Sequence, residues 1–298
     1  MGKPVKKLFI TGLDSRAAWY SVIWHEVFLS CFTRCYSVYD ADVVLLQRAH
    51  SITEYTQPVI YFIDDLLWCF ARGYKQFPAE IMTQATYWLS HADIIIASTS
   101  YLATWLHLKF RIEARYLPVA LPDRYYCRDI VTKNRTRVVL TTGFNAHDHD
   151  ITDSGLLSCW ETLQNGLQVQ VLGRSKVLGT NNIVTYSQYL NTLRQARIGL
   201  IPLQDHPFNY AKTILKFLEY VVSGVVPVFS RIRAGDYAKL ADMFPDLVVE
   251  DGDWLTAINR VWPRTEKIWP EIFQYCYDNH RHSVTYKIWN KLMEEVNG

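Results

Sequence analysis

Short apolar runs alternate with amphipathic stretches along almost the whole chain, and this alternation predicts strands and helices in turn. In the first half, runs rich in β-branched residues are typical of buried parallel strands. These predicted strands cover residues 7–11, 43–47, 59–63, 93–97 and 114–119. Apolar positions at helical spacing predict helices over residues 15–32, 79–90 and 101–108. The first half is therefore predicted to be a parallel sheet with helices between its strands.

The pattern restarts after a polar segment at residues 129–136. The second half has predicted strands at 137–141, 169–172, 198–201, 225–229 and 247–250, and a short extended piece at 183–185. Its predicted helices cover residues 154–164, 189–196, 210–223, 254–261, 266–277 and 284–296. We therefore predict an α/β protein with two Rossmann-like, doubly wound domains at residues 1–128 and 137–281. Residues 129–136 are the predicted linker, and residues 282–298 form a closing helix.

Right-handed crossovers place the loops that follow parallel strands along one edge of each sheet, and ligands bind at that edge. Two such edges that face each other make a cleft, which suits an enzyme with two substrates. The formal net charge is only +2, so the broad positive surface of a nucleic-acid-binding protein is missing. The six cysteines form no CxxC pair, and no apolar stretch approaches the ~20 residues that span a bilayer. We expect a cytoplasmic protein with reduced thiols.

The most informative segment runs from Ile198 to Ser230. The predicted helix near Tyr210 would offer free backbone N–H groups to a diphosphate, with Lys212 and Thr213 in its first turn. Lys216 and Glu219 would share a face of this helix with Lys212, and a carboxylate there can accept two ribose hydroxyls. The alternative is an ordinary solvated Lys–Glu face.

This segment resembles the donor-binding signature of retaining GT-B glycosyltransferases, in particular a bacterial and phage subgroup with the pattern PFN.AK..(I/L)KFLEY..SG. The resemblance implies a GT-B fold, whose last helix often crosses back to the first domain. It also implies two glutamates eight residues apart, of which the second corresponds to Glu219 and the first to Ala211. With the first glutamate absent, either Asp205, Asn209 or Lys212 substitutes for it, or the donor binds in a different geometry. Phe208 also belongs to the predicted donor site.

Residues 142–150 are similar to a second element of the subgroup, in which a glycine, a histidine and an aspartate follow a strand. By this resemblance Gly143 lets the backbone approach the ligand, and His147 and Asp150 face the cleft as candidate catalytic groups. Four potential ligands in this stretch also permit a metal site, although GT-B enzymes generally need none, so no metal is expected. Further along, Arg174 is a candidate diphosphate clamp or a surface residue. Tyr186 is a candidate nucleobase contact or a core tyrosine.

In the first half, residues 59–68 resemble a subgroup element with paired aspartates after a strand. Asp64 and Asp65 are candidates, with His147, for orienting the acceptor hydroxyl or taking its proton, although one of the pair can instead cap a helix. Four further residues are predicted to border the acceptor side of the cleft, namely Asp14, Arg16, Arg48 and Trp68.

The predicted function is therefore the metal-independent transfer of a hexosyl or pentosyl group from a nucleotide sugar to an acceptor hydroxyl of a glycan. Retention at the anomeric carbon is implied by the resemblance alone. One alternative is a phage-type enzyme that glycosylates a hydroxymethylated, or already glycosylated, DNA base. It is permitted by local basic residues, namely Lys109, Arg111, Arg115, Lys133, Arg135 and Arg137. A second alternative is a nucleotide-sugar-binding protein without transferase activity. The sequence leaves the nucleotide, the sugar, the acceptor and the oligomeric state open.

Overall fold

The computed structural model describes residues 6–11, 27–47, 51–68, 78–127, 135–143 and 148–297. Within these residues the strands form two six-stranded sheets, one from each half of the chain. The first sheet has the order β2-β1-β3-β4-β5-β6 and the second β12-β11-β10-β7-β8-β9. Neighbouring strands run parallel except for β8 and β9, which are antiparallel. The molecule thus has two Rossmann-like domains, as the alternating pattern predicts.

The strands are β1 (Lys7–Thr11), β2 (Thr33–Cys35), β3 (Val43–Gln47), β4 (Val59–Ile63), β5 (Ile94–Ala97), β6 (Arg115–Tyr116), β7 (Arg137–Gly143), β8 (Gln168–Ser175), β9 (Thr180–Asn182), β10 (Ala196–Ile201), β11 (Val226–Ser230) and β12 (Val248–Val249). The described α-helices are α1 (Ala79–His91), α2 (Ser100–Phe110), α3 (Asp148–Asp153), α4 (Trp160–Gly166), α5 (Tyr186–Leu193), α6 (Pro207–Tyr210), α7 (Leu215–Val222), α8 (Asp236–Met243), α9 (Trp254–Val261), α10 (Thr265–Asn279) and α11 (His282–Asn297).

The central strands of the first sheet are buried on both faces, which explains why they are continuous apolar runs. Successive side chains of a strand point to opposite faces, so β3 contributes to two cores. Val43 and Leu45 belong to a core that continues into the second domain. Val44 and Leu46 belong to a separate core on the other face of the first sheet.

The closing helix α11 packs on the first domain. The ring of Trp289 lies 5.0 Å from the ring of Phe28 and 6.2 Å from that of Phe32, measured between centroids. Where this helix starts, the backbone of Leu121 donates to the carbonyl of His280 and accepts from the N–H of His282. Segments of both halves are therefore joined by backbone hydrogen bonds at this point.

Several predicted elements are corrected by the structure. The helix predicted over 15–32 ends earlier, at Phe28, and residues 29–32 form a turn and a bend that lead into β2, which pairs with β1. Residues 12–26 of the predicted helix lie outside the described part of the chain. The strand predicted at 114–119 is reduced to Arg115–Tyr116, and the extended piece at 183–185 is replaced by a strand at Thr180–Asn182. The amphipathic helix α8 was not predicted at all. Among the described residues, no helix has the length and apolar character that a membrane span requires.

Candidate functional site

The carboxyl ends of three parallel strands bring the main candidate residues of the second domain together. Strands β7 and β8 lie side by side and end at Gly143 and Ser175, and β10 on the other side of β7 ends at Ile201. A bulge between Thr141 and Gly143 shifts the register of β7 against β8. After β10 the chain continues through residues 205–214, here called the 205–214 loop, into α7.

The prediction of a single helix over residues 210–223 is wrong at its start. Pro207–Tyr210 forms one short turn of helix, with the His206 ring nitrogen Nδ1 accepting from the Phe208 N–H at 3.2 Å. The chain leaves the helical course after Ala211, and α7 begins at Leu215. The physical reason is packing, because Phe208 and Ala211 are buried in a core of the first domain. Lys212 and Thr213 consequently precede α7 and do not lie in its first turn.

Glu219 lies on α7 and is almost fully buried, with 4% of its surface exposed. One carboxylate oxygen, Oε2, accepts a hydrogen bond of 2.8 Å from the hydroxyl of Tyr189 on α5. The other, Oε1, has no hydrogen-bond partner within the part of the chain that the structure describes. Burial raises the pKa of Glu219 to about 7, while the Tyr189 hydroxyl and the Lys216 charge oppose this shift. A buried carboxylate oxygen that accepts no hydrogen bond is rare in proteins, and it indicates a place where a ligand can donate one.

Lys216 lies one turn before Glu219 on α7. Its ammonium Nζ donates to the backbone carbonyl of Thr141 at the end of β7, at 2.7 Å. Burial lowers the pKa of Lys216 to about 8; Asp150 and Glu219 counteract this shift, and Lys212 adds to it. Positive charge is therefore held at the carboxyl edge of the second sheet, beside the start of α7.

Asp150 is 2% exposed and is tied to the segment that follows β10. Its oxygen Oδ1 accepts from the backbone N–H of Gln204 at 2.9 Å and from the Asn209 side-chain amide at 2.6 Å. The Asn209 amide also donates to the Gln204 carbonyl at 2.9 Å. The structure thus brings two predicted site residues together, and the pair shapes the 205–214 loop.

Asp205 is also occupied by contacts within the protein. Its oxygen Oδ1 accepts from the Tyr210 hydroxyl at 2.7 Å and from the Arg233 backbone N–H at 2.9 Å, and Oδ2 accepts from Arg233 Nε at 2.5 Å. Burial acts to raise the pKa of Asp205, but the bonds from Tyr210 and Arg233 outweigh it and the pKa is lowered. Lys212, by contrast, has its ammonium 4.4 Å from the centre of the Phe208 ring. Of the three expected substitutes for the first glutamate, Asp205 and Asn209 are held by hydrogen bonds within the protein, whereas Lys212 forms no ion pair with a carboxylate of the described residues.

Arg174 and Tyr186 occupy the side of the site formed by β8 and α5. The Arg174 guanidinium is exposed and donates to the Asn181 side-chain oxygen at 2.9 Å. Tyr186 is the first residue of α5, and its ring stacks on Tyr189 with 6.1 Å between centroids. Burial raises the pKa of Tyr186, and the charge of Glu219 raises it further. Tyr186 is therefore adjacent, through Tyr189, to the buried carboxylate.

Two supporting residues were missed by the sequence reasoning. Tyr220 on α7 accepts from the Thr141 backbone N–H at 3.2 Å, and its ring fills the space that Gly199 leaves in β10. A Cβ atom at position 199 would lie 2.3 Å from that ring. A glycine inside a buried strand is the sequence signal for such a close approach. Tyr189, the partner of Glu219, had no comparable signal.

The candidate acceptor residues of the first domain are only partly brought together. Asp64 follows β4 directly and is buried, with 2% of its surface exposed. Its backbone carbonyl accepts from Ser98 Oγ at 3.4 Å. Asp65, the next residue, is half-buried. Trp68 is stacked on Trp105 with 5.8 Å between ring centroids, and its indole N–H donates to the Thr86 hydroxyl at 3.0 Å. The remaining candidates lie outside the described residues, namely Asp14, Arg16, Arg48 and His147.

Two of the basic residues that permitted a DNA-binding interpretation have structural roles. The Arg135 guanidinium donates to the carbonyls of Ala196, Ser223 and Gly224, where β10 begins and α7 has just ended. Arg137 donates to Gln195 at the same, amino-terminal edge of the second sheet. Neither side chain contributes positive charge to the carboxyl edge. Within the described residues, no group of three or more His, Cys, Asp or Glu side chains is arranged to hold a metal ion.

Comparison with solved structures decides the fold. An alpha-glucosyltransferase in complex with UDP and a 13-mer DNA superposes with a TM-score of 0.63 at 10% identity, over 97% of this chain and 98% of that one. The sucrose-phosphate synthase of Thermosynechococcus elongatus gives a TM-score of 0.61 at 15% identity, over 87% of this chain and 74% of that one. The chain has the GT-B fold.

WaaG, a glycosyltransferase involved in lipopolysaccharide biosynthesis, is a further GT-B neighbour, with a TM-score of 0.57 at 15% identity over 94% of this chain and 84% of that one. No protein-family model and no curated protein matches the sequence. At these identities the likeness shows the GT-B fold, and the activity has to be argued from the site itself.

Proposed function

We propose that this GT-B protein transfers a sugar from a nucleotide-sugar donor, with the donor bound to its second domain. The observation that carries the proposal is Glu219, a buried carboxylate with one oxygen bonded to Tyr189 and the other without a described partner. The 2′- and 3′-hydroxyls of a ribose are donors that suit this oxygen. A buried oxygen that stays unsatisfied costs about 1–3 kcal/mol, and a ribose hydroxyl bound here would remove that cost.

The diphosphate of the donor is proposed to lie over the start of α7. Ile214, the residue before this helix, makes no side-chain cap bond, and the first backbone N–H groups of a helix are suited to bind an anion. Lys212 stands just before the helix and Lys216 in its first turn, which adds two cations. Tyr186 is the proposed wall for the nucleobase, Arg174 a second diphosphate contact, and Gly143 a point of close backbone approach.

The proposed reaction breaks the bond between the anomeric carbon and the diphosphate oxygen, and the electron pair leaves with the diphosphate. The helix N–H groups and the lysines stabilise this developing charge, while the sugar passes through an oxocarbenium-like state. An acceptor hydroxyl then bonds to the anomeric carbon and loses its proton to a protein group. Asp64, Asp65 and His147 are the proposed groups, and retention of configuration is the proposed outcome.

For the acceptor we propose a glycan hydroxyl, as in the polysaccharide assembly reactions of other GT-B proteins. A hydroxymethylated DNA base is the second candidate. It is favoured by one observation, namely that the DNA-bound alpha-glucosyltransferase matches this chain over nearly its whole length. The structural roles of Arg135 and Arg137 remove two of the basic residues that would otherwise support DNA binding.

A turnover screen tests this proposal directly. The protein is incubated with a panel of nucleotide sugars and with glycan and hydroxymethylated-DNA acceptors, and the released nucleotide and the acceptor mass are measured. We expect one donor to be consumed with a matching mass gain on a glycan. A mass gain on DNA instead would select the second candidate. If a nucleotide sugar binds but is not consumed with any of the acceptors, the result would contradict transferase activity and favour a nucleotide-sugar-binding protein.

A further inference from the structure

Two residues of the first domain, Thr99 and Tyr101, contact the 205–214 loop of the second domain. Thr99 Oγ1 donates to the backbone carbonyl of Ala211 at 3.3 Å, and both residues are fully buried. The Tyr101 ring meets the Tyr210 ring edge to face, with 5.6 Å between centroids. Ser100, which lies between them, contacts α8 and not the loop itself: its Oγ accepts from the ammonium of Lys239 at 2.8 Å. We call residues 99–101 the α2 turn, because they lead into and begin helix α2.

The side of the loop away from the first domain is also closely fitted. Helix α8 starts directly after Gly235, which has a φ of 85°. A Cβ atom at this position would lie 2.0 Å from the carbonyl oxygen of Tyr210, so only glycine fits there. Lys239 of the same helix pairs with Asp236 at 2.9 Å while it donates to the α2 turn. The loop is therefore clamped between α8 and the first domain.

The apolar anchors of the loop lie in the first domain as well. Phe208 and Ala211 are 6% and 0% exposed and pack in the core formed by Val44, Leu46 and their neighbours on the first sheet. Separation of the two domains would expose both anchors to water. The conformation that places Lys212 next to the start of α7 thus depends on contact with the other domain.

We propose that the α2 turn is a positioning element of the donor site, through which the first domain sets the affinity of the second domain for its nucleotide sugar. This inference rests on the proposed function. In this proposal none of the three residues touches the donor or the acceptor. Thr99 and Tyr101 hold the 205–214 loop directly, Ser100 holds it through Lys239 of α8, and the loop positions the ammonium of Lys212. Ser98, the residue before the turn, bonds to the Asp64 carbonyl at 3.4 Å, which connects the proposed acceptor side to the same loop.

The first variant to test is Thr99→Val, which removes the hydroxyl that donates a hydrogen bond to the Ala211 carbonyl. A net hydrogen bond of this kind corresponds to a roughly five- to tenfold change in affinity. We expect this weakening of nucleotide-sugar binding in isothermal titration calorimetry, with rescue by Thr99→Ser, which keeps the hydroxyl. Thr104→Val is the matched control, because Thr104 is exposed on the same helix and its hydroxyl only bonds to the Ser100 carbonyl. It should bind as the wild type does.

Thr99 also caps α2 by accepting from the Leu102 N–H at 3.1 Å, so a second variant is needed. Ser100→Ala leaves that cap intact and removes only the bond from Lys239. It should weaken donor binding in the same direction, with an unchanged thermal unfolding midpoint.

A double-mutant cycle separates positioning from general destabilisation. If Thr99 acts through Lys212, then Thr99→Val costs little additional affinity once Lys212→Met is present. Additive losses, or wild-type affinity in both Thr99→Val and Ser100→Ala, would overturn the inference. If Glu219→Gln weakens binding while these variants do not, the proposed function stands and this inference fails. If the wild type binds no nucleotide sugar at all, both fail.

Discussion

Replacement of Glu219 by glutamine is the sharpest test of the donor site, because it keeps the shape of the side chain and removes its charge. Hydrogen bonds to charged groups contribute roughly 1.5–3 kcal/mol. Loss of the charged acceptor for the ribose is therefore expected to cost about 2–3 kcal/mol of donor binding, which is a roughly 30- to 150-fold increase in Kd. The Tyr189 hydroxyl still has an amide oxygen to bond, so the protein should remain folded.

The pH dependence of donor binding gives this prediction a second signature. Because burial raises the pKa of Glu219 to about 7, the carboxyl is increasingly protonated in the free protein as the pH falls below that value. A ribose hydroxyl favours the ionised form, so wild-type affinity should decrease below about pH 7, by up to tenfold per pH unit. Glu219→Gln has no group to titrate there and should lose this dependence.

The assay is isothermal titration calorimetry with the nucleotide sugar identified in the turnover screen, at several pH values. A nucleotide sugar is preferable to a free nucleoside diphosphate, because its phosphates do not titrate near neutral pH. Glu161→Gln is the matched control, since Glu161 is exposed on α4 of the same domain. Unchanged affinity in Glu219→Gln, or the same pH dependence in wild type and variant, would refute the placement of the ribose.

The remaining predictions concern stability and charge. The raised pKa of Glu219 means that its ionisation opposes folding, so the penalty is absent below about pH 4.5 and complete above about pH 7. In urea unfolding near pH 8, Glu219→Gln should accordingly be more stable than wild type by about 2–3 kcal/mol. This difference should vanish near pH 4.5, and equal stability of the two proteins at both pH values would contradict the raised pKa of Glu219. By the same measurement, Gly199→Ala should lower the free energy of unfolding by about 1–3 kcal/mol, because the new Cβ would overlap the Tyr220 ring. Gly166→Ala is the control: nothing lies within 4 Å of its new Cβ, so its free energy of unfolding should be unchanged or slightly higher. Lys212→Met should weaken binding of the nucleotide sugar about five- to tenfold but leave binding of the free nucleoside unchanged, since the nucleoside has no diphosphate; an equal loss for both ligands would argue against the diphosphate contact.

The two-domain α/β architecture could be predicted from the sequence because its central strands are buried on both faces. The apolar runs at Val43–Gln47 and Val59–Ile63 define two strands to the residue, since a continuous β-branched run between polar segments has few other stable environments. Strand β2 was not predicted from the sequence. It has only three residues, two of them exposed, and lies at the edge of the sheet. Such a short polar strand has no apolar pattern to detect.

The candidate site was less predictable, because tertiary contacts decide the course of the 205–214 loop. The local sequence favours one helix from Tyr210, but burial of Phe208 and Ala211 in the other domain interrupts it. Whether a polar residue is available to a ligand also depends on partners far away in sequence. Asp205 is bound by Arg233, 28 residues later, and Glu219 by Tyr189, 30 residues earlier.

The most direct measurement of the central claim is a crystal structure of the protein with its nucleotide sugar. We predict that a ribose hydroxyl lies within about 2.5–3.0 Å of Glu219 Oε1 and that the diphosphate covers the first turn of α7. A nucleotide bound elsewhere on the molecule, or a Glu219 carboxylate that makes only protein contacts in the complex, would contradict the account.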